Sequence, residues 1–243
     1  MTARRKALAR PPQPLGASAT STTIAPLSGA RSAELEALRH DATALGLSLP
    51  DAAFDHLSAY LALLRKWNAA YNLTAVRDAA QMRVQHLADC LAVIEPMRRQ
   101  RGSSPQRLLD VGSGGGLPGV VLAIAEPAWD VSCVDTVGKK AAFIRQVAGE
   151  LALPNLHALH ARVESLGGAP FDLITSRAFA SLPDFVRLTR PLLAPGGVWM
   201  AMKGRRPDDE LAALPSDIDM FHVEPLAVPG LPADRCLIWM RPR

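Results

Sequence analysis

The chain has 243 residues, enough for one large domain or for one domain with a small appendage. Hydrophobic residues make up 49%, too many for a disordered chain, and no run of about 18 apolar residues offers a membrane span. The net charge of +4 arises at the start: Arg4, Arg5, Lys6, Arg10 and Arg31 stand in residues 1–31 without an acidic partner, leaving 22 basic against 23 acidic side chains beyond. The body is therefore not globally basic, and any binding of nucleic acid must use a local patch.

Residues 1–31 are rich in Pro, Ser, Thr, Ala and Arg and lack hydrophobic periodicity, which predicts a disordered basic extension. Pro11-Pro12-Gln13-Pro14 interrupts the amphipathic helix of a transit peptide, and no apolar core of a secretory signal is present. Residues 32–101 read as an N-terminal helical segment. Ser32 is the expected N-cap of a first helix carrying Leu35, Leu38, Ala42 and Leu45, which Gly46 ends. A second starts near Pro50-Asp51, and Leu57, Tyr60, Leu61, Leu64 and Tyr71 build its apolar face. A third holds Val84, Leu87, Leu91 and Ile94 and is expected to stop by Pro96.

From residue 102 to 243 the period changes. Strand-like runs at Arg107–Val111, Val131–Asp135, Leu156–His160, Phe171–Thr175 and Val198–Lys203 alternate with helical stretches at Pro118–Ala125, Lys139–Leu151 and Leu182–Leu193. Such alternation implies a parallel sheet covered on both faces. Phe221–Val228 and Cys236–Arg241 follow with only the turn Pro229–Asp234 between them, too short for a parallel crossover, so this last pair is expected to be antiparallel. The predicted fold is α/β: a doubly wound, mostly parallel seven-stranded sheet with an antiparallel last strand, the pattern of class I methyltransferases that use S-adenosylmethionine. Three widely separated cysteines, with no C-x-x-C pair, argue against a disulfide framework or a zinc site and for a reducing cytoplasm; Cys133 and Cys236 fall in apolar runs and are expected in the core.

The strongest local signal is the run Leu108 to Gly119, where an apolar strand enters a turn with five glycines in eight residues and a helix begins near Pro118. Glycines permit positive φ and close approach of a ligand to the main chain. In an open α/β sheet the carboxyl end of the first strand is where nucleotides bind. Gly114, Gly116 and Gly119 also satisfy G-x-G-x-x-G, so a nicotinamide or flavin dehydrogenase competes on that pattern alone. Asp135, 19 residues after Gly116, suits the ribose of either cofactor. Asp110 directly before the turn, placed to hold the amino end of a methionyl group, and the C-terminal hairpin favour S-adenosylmethionine.

Several segments in order carry a more specific likeness: Lys66 to Thr74 (KWNAAYNLT), His86-Leu87-Ala88-Asp89, the Asp110–Gly119 loop, and Asp135 to Lys140 (DTVGKK). Ala161-Arg162-Val163-Glu164, Ser176 to Ala180 (SRAFA) and Ala201-Met202-Lys203-Gly204 continue it. With these the chain resembles the bacterial RsmG family of 16S rRNA guanine-N7 methyltransferases from about residue 45 onward. The resemblance implies cofactor contacts at Gly112, Leu117, Val163, Glu164 and Arg177, with Gly114 and Gly116 in the loop around the methionyl part, Asp135 at the ribose and Val163-Glu164 at the adenine. It implies 16S rRNA or the small ribosomal subunit as partner. Three departures stand out: the N-terminal extension, Gln85 where a basic residue is common, and Cys90 where serine is usual.

No catalytic base is expected, because N7 of guanine has an in-plane lone pair and loses no proton on methylation; the work is positioning. Arg177, Lys203 and His86 are candidates for that, and the same three together with Lys66, Lys139, Lys140 and Arg145 are candidates for phosphate contacts. Trp67 and Tyr71 suit base stacking, but their helical spacing favours the core where helices dock on the sheet, and His86 and Asp89, one turn apart, either touch the guanine or join two helices. No metal site is expected. A monomer is the default, since no long heptad pattern occurs. A small-molecule methyltransferase on the same fold and a non-enzymatic binding module remain the rivals.

Overall fold

The computed structural model describes residues 29–102 and 104–243, so residues 1–28 of the expected extension lie outside the described residues. Residues 29–31 belong to the first helix, α1 (Gly29–Ala44), which starts before the expected cap at Ser32. In α2 (Asp51–Tyr71) Leu57, Tyr60, Leu61 and Leu64 are wholly buried, as their spacing implies. Tyr71 is not: it is 46% exposed. Trp67, one turn earlier, takes the contact with Phe143 (ring centroids 5.4 Å apart), and Tyr71 stacks on Trp67 at 5.0 Å.

A continuous helical stretch follows as α3 (Ala79–Met82), a π-helical stretch (Arg83–Ala88) and α4 (Asp89–Leu91). Next comes α5 (Ile94–Arg101), which does not stop at Pro96. Pro96 stands in its first turn, where a backbone N–H has no partner within the helix and its loss costs little.

The sheet comprises β1 (Arg107–Val111), β2 (Asp130–Asp135), β3 (Leu156–His160), β4 (Phe171–Arg177), β5 (Leu193–Lys203), β6 (Ile218–Pro225) and β7 (Cys236–Pro242), in the order β3-β2-β1-β4-β5-β7-β6. β1 to β5 are parallel; β7 slots between β5 and β6 and runs against both. The reversed strand expected from the short last turn is therefore present. Helices α6 (Gly119–Ala125), α7 (Gly138–Glu150) and α8 (Leu182–Thr189) make the crossovers, and a short α9 (Asp208–Ala212) has no buried residue and hence no apolar period to betray it.

Alternation along the strands divides the sheet between two cores. Leu108, Leu173, Met200 and Met202 face α2, α6 and α7, whereas Leu109, Val111, Ile174 and Trp199 face α8. The first core also takes in Leu35, Leu38, Leu87 and Met97, so the N-terminal helices and the sheet share one hydrophobic interior. Cys90, Cys133 and Cys236 are all buried and unpaired, as expected of the latter two.

Candidate cofactor and substrate site

Between β1 and α6 the backbone turns through Gly112, Gly114 and Gly116 at φ of +67°, +59° and +88°, values that L side chains rarely adopt. At Gly112 space is limiting as well, since a Cβ would lie 2.8 Å from Phe179 Cδ2. The turn is fastened from both sides. Gly112 and Ser113 donate their N–H groups to the Val134 carbonyl at 2.9 and 3.2 Å. From below, the buried Tyr60 hydroxyl of α2 donates to the Gly115 carbonyl at 2.7 Å. The Leu117–Pro118 peptide is cis, and α6 begins one residue later than Pro118.

Asp135 closes β2 beside this turn. Its Oδ2 accepts the Gly114 N–H (3.0 Å), its Oδ1 accepts the Val137 N–H (2.8 Å), and Lys140 Nζ lies 3.6 Å from Oδ2. A carboxylate held so firmly retains lone pairs for a diol. It borders a cavity of about 230 Å³ lined by Gly112, Asp135, Val137, Val163, Ala178 and Phe179 among others. This is a pocket at the carboxyl ends of the strands, at the switch point where β1 separates β2 from β4.

Asp110 sits behind the turn and not in that cavity. Its Oδ2 accepts the Gly119 N–H at 2.9 Å and so fixes the start of α6. Its Oδ1 is buried without a partner, as is the hydroxyl of Thr175, its cross-strand neighbour on β4. Burial pushes the Asp110 carboxyl up to about 7 against the pull of the Gly119 N–H and of Arg177. An orphaned carboxylate oxygen next to a glycine turn fits a cofactor with an ammonium end, reached directly or through water, better than one with a pyrophosphate.

A second cavity of about 550 Å³ lies next to the first, and Ala178 lines both. Ala178 itself has φ of +61°, a conformation that costs a residue with a Cβ about 1–2 kcal/mol and is retained only where neighbours enforce it. Arg177 enters this second cavity from the end of β4. Its Nη1 donates to the Gln85 carbonyl at 3.0 Å and to Asp89 Oδ2 at 3.2 Å. Asp89, almost wholly buried, also accepts from Arg235 Nε at 2.9 Å. His86 borders the same space; its Nε2 pairs with the Thr74 hydroxyl at 2.8 Å. Burial, helped by the nearby Arg177 charge, lowers the His86 pKa and keeps the ring neutral. Lys203 Nζ is taken up by Glu210 at 2.8 and 3.0 Å.

The expected cofactor residues thus divide. Gly112, Asp135 and Val163 line the first cavity, and Arg177 lines the second. Gly114 and Gly116 shape the turn, and Leu117 is buried in the first core. Glu164 lies exposed on a single 3₁₀ turn (Val163–Ser165) and borders neither cavity. Of the phosphate candidates, Lys140 lines the first cavity, whereas Lys66 lies elsewhere, on α2. Sequence reasoning missed Phe179 over Gly112 and Arg235 on Asp89. The first stood in the Ser176–Ala180 segment without a reason attached; the second comes from 146 residues further along the chain, which no local pattern reports.

The rRNA small subunit methyltransferase G family (GidB) matches this chain over residues 53–238. A protein of Leptothrix cholodnii named ribosomal RNA small subunit methyltransferase G is 64% identical over 202 residues, 83% of this chain and 93% of its own. One of the same name from an Acidovorax species is 60% identical over 214 residues, 85% of this chain and 94% of its own. Among solved structures, the Burkholderia thailandensis 1,6-didemethyltoxoflavin-N1-methyltransferase superposes with a TM-score of 0.52 at 18% identity, over 76% of this chain and 89% of that one. At that identity the likeness speaks for the fold.

Proposed function

The chain belongs to the rRNA small subunit methyltransferase G family, and from that premise we propose that its methylation of 16S rRNA falls on N7 of a single guanine. The enzyme is S-adenosylmethionine-dependent; when bound, the cofactor supplies a methyl group on a sulfonium, an electrophile that needs only a positioned lone pair. The observation that carries the assignment is the pair of cavities joined at Ala178, one walled by the glycine turn and Asp135, the other by the Arg177–Asp89–Arg235 cluster.

In this proposal Asp135 accepts the ribose hydroxyls, Val163 packs on the adenine, and the turn at Gly112, Gly114 and Gly116 lets the main chain approach the methionyl part. Leu117 supports the turn from the core, Glu164 stands at the adenine end, and Asp110 and Arg177 bracket the amino-acid end. The target base enters the second cavity. No residue there has to remove a proton, which accords with a neutral His86 bonded to Thr74 and a Lys203 engaged by Glu210. Orientation alone can contribute roughly 7–11 kcal/mol to such a transfer. No helix among the described residues is long and apolar enough to cross a membrane; we further place the enzyme in the cytoplasm, acting as a monomer. The test is transfer of radiolabelled methyl from S-adenosylmethionine to small-subunit RNA lacking its native methylation, with the labelled base mapped. Label at N7 of one guanine is expected; label on an amino group or on carbon would defeat the proposal.

A further inference from the structure

Two guanidinium groups, from distant parts of the chain, converge on one buried carboxylate beside the proposed methyl position. Asp89 Oδ2 takes Arg177 Nη1 and its Oδ1 takes Arg235 Nε, so two cations share one anion and the cavity keeps one positive charge. Lys203 adds none, being neutralised by Glu210. Arg177 is committed further, since the same Nη1 holds the Gln85 carbonyl of the π-helical stretch. Arg235 spends Nε on Asp89 and Nη1 on the Asp234 carbonyl, while its Nη2 makes no hydrogen bond among the described residues. Its side chain is 26% exposed, on the connection into β7, and it lines the cavity.

On the edge that bears N7, guanine offers two acceptors, N7 and O6, whereas adenine offers N7 and an amino donor. When N7 is the atom to be methylated, O6 is what remains for the protein to read on that edge. A fixed cationic donor gives a hydrogen bond to O6 and leaves an adenine amino group facing N–H groups with no acceptor, which is costly in a desolvated site. We propose that Arg235, positioned by Asp89, donates to O6 of the target guanine and is the residue by which this enzyme rejects adenine. The inference rests on the guanine-N7 reading above.

The test compares unmethylated small-subunit RNA carrying its mapped target guanine with the same RNA carrying 2-aminopurine there, which keeps N7 and lacks O6. For wild-type enzyme kcat/KM is expected to fall roughly 10- to 150-fold on the 2-aminopurine RNA, the range of one hydrogen bond from a charged donor. Arg235→Gln is expected to lose a similar factor on the guanine RNA and to lose little more on the analogue. Asp89→Asn should behave alike, and Arg235→Lys should recover part of the discrimination. Should Arg235→Gln fail to fold, judged by its melting curve, the same comparison is made with Arg235→Lys, whose wild-type-like discrimination would overturn the proposal. Equal losses on both RNAs for Arg235→Gln would make Arg235 a phosphate contact and also overturn it. An unchanged wild-type rate on the analogue would do the same. Failure of the wild type to label the guanine RNA at all would instead strike the guanine-N7 reading, so the two failures are distinct.

Discussion

Asp110→Asn should make the protein without cofactor more stable above neutral pH while weakening its hold on S-adenosylmethionine. The carboxyl is wholly buried, with one hydrogen bond from the Gly119 N–H and one oxygen unpartnered. Desolvation by burial raises its pKa from 3.8 to about 7. Below 3.8 the group is protonated in both folded and unfolded chains. Between 3.8 and about 7 the folded protein keeps a proton that the unfolded chain has released, so stability falls as pH rises and levels off above about 7. At 1.36 kcal/mol per pH unit the gap amounts to roughly 4 kcal/mol. An asparagine keeps an acceptor for Gly119, places an amide near the unpartnered Thr175 hydroxyl and carries no charge. Urea unfolding of both proteins at steps from pH 4 to pH 8 measures the difference directly, since every other titrating group cancels between them. A difference that grows by about 2–4 kcal/mol in favour of the variant is expected, with binding of S-adenosylmethionine weakened over the same range. A difference that stays flat with pH would refute the claim that this carboxyl ionises at a cost in the folded protein.

Four further substitutions test the same geometry. Tyr60→Phe leaves the buried Gly115 carbonyl without its donor and should cost about 1–3 kcal/mol, read as a melting temperature lower by about 2–4 °C per kcal/mol. Gly112→Ala must hold a Cβ at φ +67° against Phe179, so about 1–2 kcal/mol of stability and most of the cofactor affinity should be lost; calorimetric titration showing unchanged affinity would count against the turn as the binding element. Asp135→Ala should abolish methyl transfer with the far-ultraviolet spectrum retained, whereas Arg177→Ala should also lower stability by about 1.5–3 kcal/mol, because Asp89 and the Gln85 carbonyl lose a charged donor while Arg235 still pairs the carboxylate.

Most of the sheet was legible because helices join the strands from Arg107 to Lys203 at every step except β3 to β4, where a single 3₁₀ turn stands, and because the ten residues 226–235 between β6 and β7 are too few for a parallel crossover. The glycine turn and Asp135 were legible because positive φ and a carboxylate at the end of β2 leave marks on single residues. The second cavity was not. It is built from a π-helical stretch at 83–88, the end of β4 and the connection into β7, and nothing local ties Asp89 to Arg235. Tyr71 misled for a related reason: period places it on the buried face of α2, but whether that face has a neighbour at the last turn depends on Phe143, some seventy residues away.

That dependence on distant partners also bears on what the N-terminal helices are for. Leu64 of α2 lies under the glycine turn, with Cδ1 3.1 Å from where a Cβ of Gly115 would stand, and Tyr60 bonds the same residue. Asp89 of α4 fixes both arginines, and the Gln85 carbonyl completes the hold on Arg177. The support beneath the glycine turn and one wall of the second cavity therefore come from residues before β1. Deleting those helices would bare Val120, Val121 and Leu122 of α6 to water and leave two guanidinium groups without their shared carboxylate. The helical segment is accordingly part of the proposed base-binding site and of the core beneath it, which ties recognition of the target to the same packing that holds the cofactor turn in shape.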